Sequence, residues 1–300
     1  MKRWFFGPNG LRAGWGFGAF VLLFTAISTA ALFAARTVYR PHPGMNPVDF
    51  LVSDGLSFLS ALAAAALMAK IEKRRLGDYG LPLSPGYAAR FGAGLLWGFL
   101  PVAATMAVIA LLGGVSLAGF ALSGGALAAS AATWAVSMIV LGLFEEYLFR
   151  GYPLSALGRG MGFWPAAILL STVFGGLHYF TKERETPLDA FSVALIGLFL
   201  CFTIARTGDL WLAAGFHAAF DFFALGVAGA PNTGNGGKPV PGHLLATTFH
   251  GPAWLTGGVC GMEASAVMVA VMLILFPVFA RLVRPDAERR ERGAGAEVPA

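Results

Sequence analysis

The sequence predicts an all-α fold, a polytopic membrane helix bundle of about eight transmembrane helices. Three observations carry this. Hydrophobic residues make up 57% of the 300-residue chain and charged residues only 12%, against about 25% charged in a soluble domain. Apolar runs of about 20 residues, long enough to cross a hydrocarbon core, recur along the chain. The basic residues sit at the ends of those runs, where they act as topology signals. The net charge of +5 therefore implies no nucleic acid; the partner it implies is the lipid bilayer.

The spans are 15–36, 48–70, 88–113, 127–149, 163–180, 189–206, 209–229 and 258–283. The first, preceded by Lys2, Arg3 and Arg12, is too long for a signal-peptide core and reads as an uncleaved helix. With the N-terminus in the cytoplasm, that side also receives Lys70, Lys73, Arg74, Arg75, Arg90, Arg150, Arg159, Arg206, Arg281, Arg284, Arg289, Arg290 and Arg292, in total sixteen of 21 basic residues. Arg36, Arg40, Lys182, Arg184 and Lys238 fall outside. This predicts a multi-pass protein of the cell membrane with both termini cytoplasmic. Gly114–Ala126 reads as a loop or re-entrant piece and Pro231–Pro252 as an extracytoplasmic loop. Residues 1–284 form one transmembrane bundle, and 285–300 a charged, disordered cytoplasmic tail. Cys201 and Cys260 lack any metal-ligand spacing and read as small buried hydrophobes.

Ionisable groups at membrane depth are costly and face a partner or a water-filled cavity. Glu145 and Glu146 close the uncharged run from Ala131 to Phe144. On a helix they project about 100° apart. Glu146 stands at i,i+4 from Arg150 and can pair with it, and an ion-paired helix end is the plain alternative for both. Glu145 has no such local partner. The fifth span ends in Phe174-Gly-Gly-Leu-His178, whose paired glycines allow close helix approach, although a lone interfacial histidine is often only a polar tip. The seventh carries His217 and Asp221 one turn apart on one face. A carboxylate and an imidazole are equipment for activating water. A second His–Asp pair can bind an oxyanion or complete a site for zinc or another divalent metal. No HExxH pattern occurs, and no serine sits beside a base in these helices.

These motifs resemble the CAAX-protease and bacteriocin-processing (Abi) family of intramembrane proteases and are similar to type II prenyl-protein endopeptidases. The likeness lies in Glu145-Glu146-Tyr147-Leu148-Phe149-Arg150, in Phe174 to His178 and in His217 to Asp221, in that order. It implies Glu145 and His178 as the water-activating pair and Glu146 with Arg150 as support. His217 and Asp221 would then serve the oxyanion or a metal. Asp221 stands where the eukaryotic members have Asn, and an ionised Asp accepts hydrogen bonds but donates none. The implied substrate is a membrane-embedded or lipidated peptide or protein. A proton-coupled transporter would also place Asp, Glu and His inside helices, and a non-catalytic scaffold or immunity protein could keep the motifs for packing. The position of Arg150 in the basic flank predicts a site opening toward the cytoplasm.

Overall fold

In the computed structural model of the chain, residues 6–7 and 10–285 are described. The tail assigned to 285–300 lies, but for its first residue, outside them. A two-residue hairpin, β1 (Phe6–Gly7) and β2 (Gly10–Leu11), leads into α1 (Ala13–Ala35). Then come α2 (Pro47–Glu72) and α3 (Tyr87–Leu111). Next, α4 (Gly124–Glu146) runs through a π-turn, Tyr147–Gly151, into α5 (Tyr152–Met161). The bundle is completed by α6 (Phe163–Thr181), α7 (Pro187–Thr207), α8 (Trp211–Asp221, extended by a π-turn over Phe222–Val227) and α9 (Ala266–Leu282). Asn46 and Thr186 start their helices by accepting the Val48 and Asp189 N–H groups, each beside a proline at the first helical position.

Traced in order, eight helical segments cross the bundle in alternating directions, so both described chain ends lie at one end of it. Six are long and apolar enough to cross a membrane, while Trp211–Val227 and Ala266–Leu282 are shorter. Buried Glu72 marks the shared end: it accepts from Arg159 Nη2 at 2.8 Å and from Tyr152 and Tyr79. Lys73, Arg74, Arg75, Arg90, Arg206 and Arg284 lie at this end too, which we call the basic end.

Two boundaries differ from the sequence reading. The fourth span does not stop at 149. It continues to Met161, because Arg150 is neutralised inside the bundle and the break comes only at Gly162, whose φ of 88° ends the helix. Pro153, which lacks an N–H to return to the preceding turn, accounts for the π-turn just before it. The eighth span starts at Ala266, not 258, since Gly257, Gly258 and Gly261 all hold positive φ. The stretch read as a loop or re-entrant piece contains strand β3 (Val115–Phe120), which pairs antiparallel with β4 (Leu245–Phe249) from the long loop.

Helix α8 is the axis of the bundle, buried from Leu212 to Phe220. It approaches α3 at backbone contact: a Cβ on Gly98 would fall 2.0 Å from Phe216 O, and one on Gly215 would fall 2.2 Å from Phe91 O. Gly142 of α4 lies almost as close, with its Cβ position 2.9 Å from Ala218 N. Of the two glycines before His178, Gly175 meets α7 (2.4 Å to Ala190 O), whereas Gly176 touches nothing. Gly98→Ala should therefore destabilise the protein by about 2 kcal/mol, seen as a lower thermal midpoint in detergent. Gly92→Ala, on the same helix with open space around it, should leave the midpoint unchanged.

Candidate active site

The glutamate pair sits deep in a continuous helix, about 24 Å along it from Met161. The two carboxylates have different surroundings. Glu146 is fully buried, and its Oε1 accepts from Arg150 Nη1 at 2.8 Å and from His217 Nδ1 at 2.8 Å. Arg150 is 2% exposed. Its guanidinium carbon stands 4.6 Å from the Phe174 ring centroid, a cation–π contact. Gly197 leaves the space it occupies, since a Cβ there would lie 2.4 Å from Arg150 Nη2. The i,i+4 pairing read from sequence is present, now as a buried bridge among α4, the π-turn and α8.

Glu145 points the other way, into a cavity of about 330 Å³, and keeps 21% of its side chain accessible. His178, His217 and Asp221 line the same cavity. His217 Nε2 lies 3.6 Å from Glu145 Oε2 and 3.4 Å from Asp221 Oδ2. His178 donates from Nδ1 to Phe174 O at 2.9 Å. A carbonyl can only accept, so Nδ1 carries a proton, and in the neutral ring the lone pair is at Nε2. All four residues expected to do chemistry thus meet at one cavity, while Glu146 and Arg150 stand behind it.

These donors do not form a ready coordination shell. Among the described residues, no group of three or more His, Cys, Asp or Glu side chains has the geometry to hold a metal ion. His217 Nδ1 is committed to Glu146, so only its Nε2 could serve as a ligand.

Sequence reasoning missed several residues. Lys182, Asn232, Glu263 and Met45 also line the cavity. Lys182 had a signal, being one turn beyond His178 on the same helix face; Asn232 and Glu263 come from loops and had none. Half-buried Lys182 would lose charge by desolvation, but Glu263, then Glu185, hold its pKa above the ordinary value. The missed residues also correct the expected side. They lie at the end of the bundle remote from the basic one, and Arg150 is an interior residue rather than part of the basic flank. The cavity is therefore nearest the opposite end from the one the charge pattern makes cytoplasmic.

Removing one partner of a buried ion pair strands the other charge. Arg150→Met should cost about 3–5 kcal/mol, and Arg150→Met with Glu146→Gln should recover part of it; thermal unfolding in detergent measures both. Glu263 yields a second expectation. Burial raises its carboxyl to about 7, against the opposing pull of Lys182. The fold therefore prefers it neutral, and its contribution to stability, present below about 4.5, is lost as pH rises through about 7. Glu263→Gln, neutral throughout, should reduce the fall in unfolding midpoint between those values.

Comparison with known proteins bears on this geometry. No curated protein matches the chain. Residues 127–223 match the family model for type II CAAX prenyl endopeptidase Rce1-like proteins, a stretch that runs from the first turn of α4 to just past α8 and holds every motif residue of the site. Through that segment the chain is similar to the type II CAAX prenyl endopeptidases.

Proposed function

We propose that the protein is an intramembrane endopeptidase that hydrolyses a peptide bond of a membrane-embedded or lipidated substrate, using water activated by Glu145 and His178. The observation that carries this is their convergence on one cavity with His217 and Asp221. The Rce1-like match independently implies a protease of CAAX type.

Glu145, the accessible carboxylate, takes one proton from a water whose other hydrogen is donated to His178 Nε2. The resulting hydroxide attacks the peptide carbonyl, and Glu145 returns the proton to the departing amine. Glu146 fixes the His217 ring through Nδ1, and in the imidazolium form, flanked by Glu145, Glu146 and Asp221, the Nε2–H donates to the carbonyl oxygen as negative charge develops. Asp221, an acceptor, orients that ring from the other side. The donor geometry supports water activation by the carboxylate itself. By the charge pattern the basic end is cytoplasmic, both termini lie there, and the cavity receives substrate from the membrane or its other face.

A carrier reading would need broken helices around a site with alternating access. Here α4 and α8 pass the site as continuous helices with π-turns.

On a purified sample reconstituted in lipid, Glu145→Gln should abolish cleavage of a farnesylated CAAX reporter peptide with unchanged thermal unfolding. His178→Ala should lower the rate by about 10²–10⁴-fold. Cleavage should persist after treatment with 1,10-phenanthroline or EDTA at about millimolar levels, well above the affinity expected of a structural metal site. Full activity of the Glu145 variant would refute the assignment.

A further inference from the structure

Asp221 cannot donate a hydrogen bond when ionised, and the remaining polar lining of the cavity is almost wholly titratable: Glu145, His178, Lys182, His217, Asp221 and Glu263. The exception is Asn232. It is 5% exposed and lies on the loop that follows α8. Its Oδ1 accepts the Gly234 N–H at 2.8 Å, capping the short turn Thr233–Asn235. An N–H can only donate, so this bond settles which end of the amide is oxygen and which is nitrogen. The Nδ2 group makes no hydrogen bond to the described residues, and the residue lines the cavity. Backbone bonds hold the residue as well: its own N–H donates to Lys238 O at 3.3 Å, and its carbonyl accepts from Gly237 N at 2.9 Å. The amide is thus a fixed, neutral donor whose charge state does not change with pH.

Peptide substrates present carbonyl oxygens, which only accept. Among the cavity's other donors, Lys182 faces Glu263, Glu185 and Glu145, His178 has given its Nδ1 proton to Phe174 O, and His217 has Nδ1 on Glu146 and Nε2 committed to the oxygen of the scissile carbonyl. We propose that Asn232 is a substrate-binding residue, its Nδ2 donating to a backbone carbonyl of the peptide held in the cavity. This rests on the protease reading above. It gives the long loop after α8 a role in recognising the peptide backbone, independent of any lipid group on the substrate.

The capping role and the donor role separate cleanly. Asn, Asp and Ser are about equally good helix caps, yet Asp is acceptor-only and Ser is too short to place a donor at the same point. Asn232→Asp and Asn232→Ser should therefore keep the wild-type unfolding midpoint. Their kcat/KM on the farnesylated CAAX reporter should fall about tenfold, the worth of about one lost hydrogen bond. Cleavage by both variants at the wild-type rate would overturn the inference and leave the protease reading intact. So would loss of activity in step with a lowered midpoint, since that is a cap alone. Absence of cleavage by the unaltered chain would overturn the protease reading and this inference with it.

Discussion

The structure depends on one buried oxygen. Glu146 Oε1 receives hydrogen bonds from Arg150 and from His217, and so ties the central part of the Gly124–Met161 helix to α8. A lone carboxylate at this depth would be prohibitive, and a lone guanidinium equally so. Each is tolerable only with the other present. The arrangement is not saturated: Glu146 Oε2 and Arg150 Nε and Nη2 find no partner in the described residues. Phe174 covers the guanidinium face instead, and the missing Cβ of Gly197 makes room for it. A lysine could supply the charge but not a planar group that lies against a ring while reaching Glu146. The bridge therefore specifies an orientation for His217 more than it adds stability.

From that orientation the rest of the site follows. With Nδ1 held, the other edge of the His217 ring must face the cavity, between Glu145 and Asp221. Two adjacent glutamates thereby have opposite roles through the 100° step of the helix: one is sealed behind the ring and one is open before it. The close approach of α4 and α8 at Gly142 permits this, because a side chain there would push Ala218 and its neighbours away from the glutamates.

Much of this was legible in the chain. The eight spans, the return of the described chain to the end of the bundle where it starts and the i,i+4 pairing of Glu146 with Arg150 all follow from local periodicity and charge, which do not require knowledge of what packs on what. The division between Glu145 and Glu146 was legible too, since helix geometry alone separates them. What was hidden depends on tertiary context. Arg150 looked like a flank residue because a charge beside an apolar run usually marks the interface; only its buried partners reveal that the helix runs on to Met161. That error carried the cavity to the wrong end of the bundle. Asn232 and Glu263 reach the cavity from loops far along the chain, where no period points. Lys182 could have been found, one turn from His178, but a single lysine past an apolar run reads first as a topology signal.

The shortness of α8 has the same origin as its polarity. A helix facing lipid must be apolar around its circumference and about 20 residues long, because every polar group it exposes goes unpaired. Trp211–Val227 is shorter than that and carries His217 and Asp221, yet it is enclosed by α3, α4 and α7 along its buried stretch. It meets protein rather than hydrocarbon. Its length need only match the bundle interior, and its polar residues need only match the partners set against them. The glycine contacts with α3 are what allow such enclosure: Gly98 and Gly215 let two backbones touch, so that small residues, not bulky apolar ones, fill the centre. The catalytic constellation and the tight packing are consequently not competing demands on this helix. The packing excludes lipid on one face, and the space left on the other is the cavity.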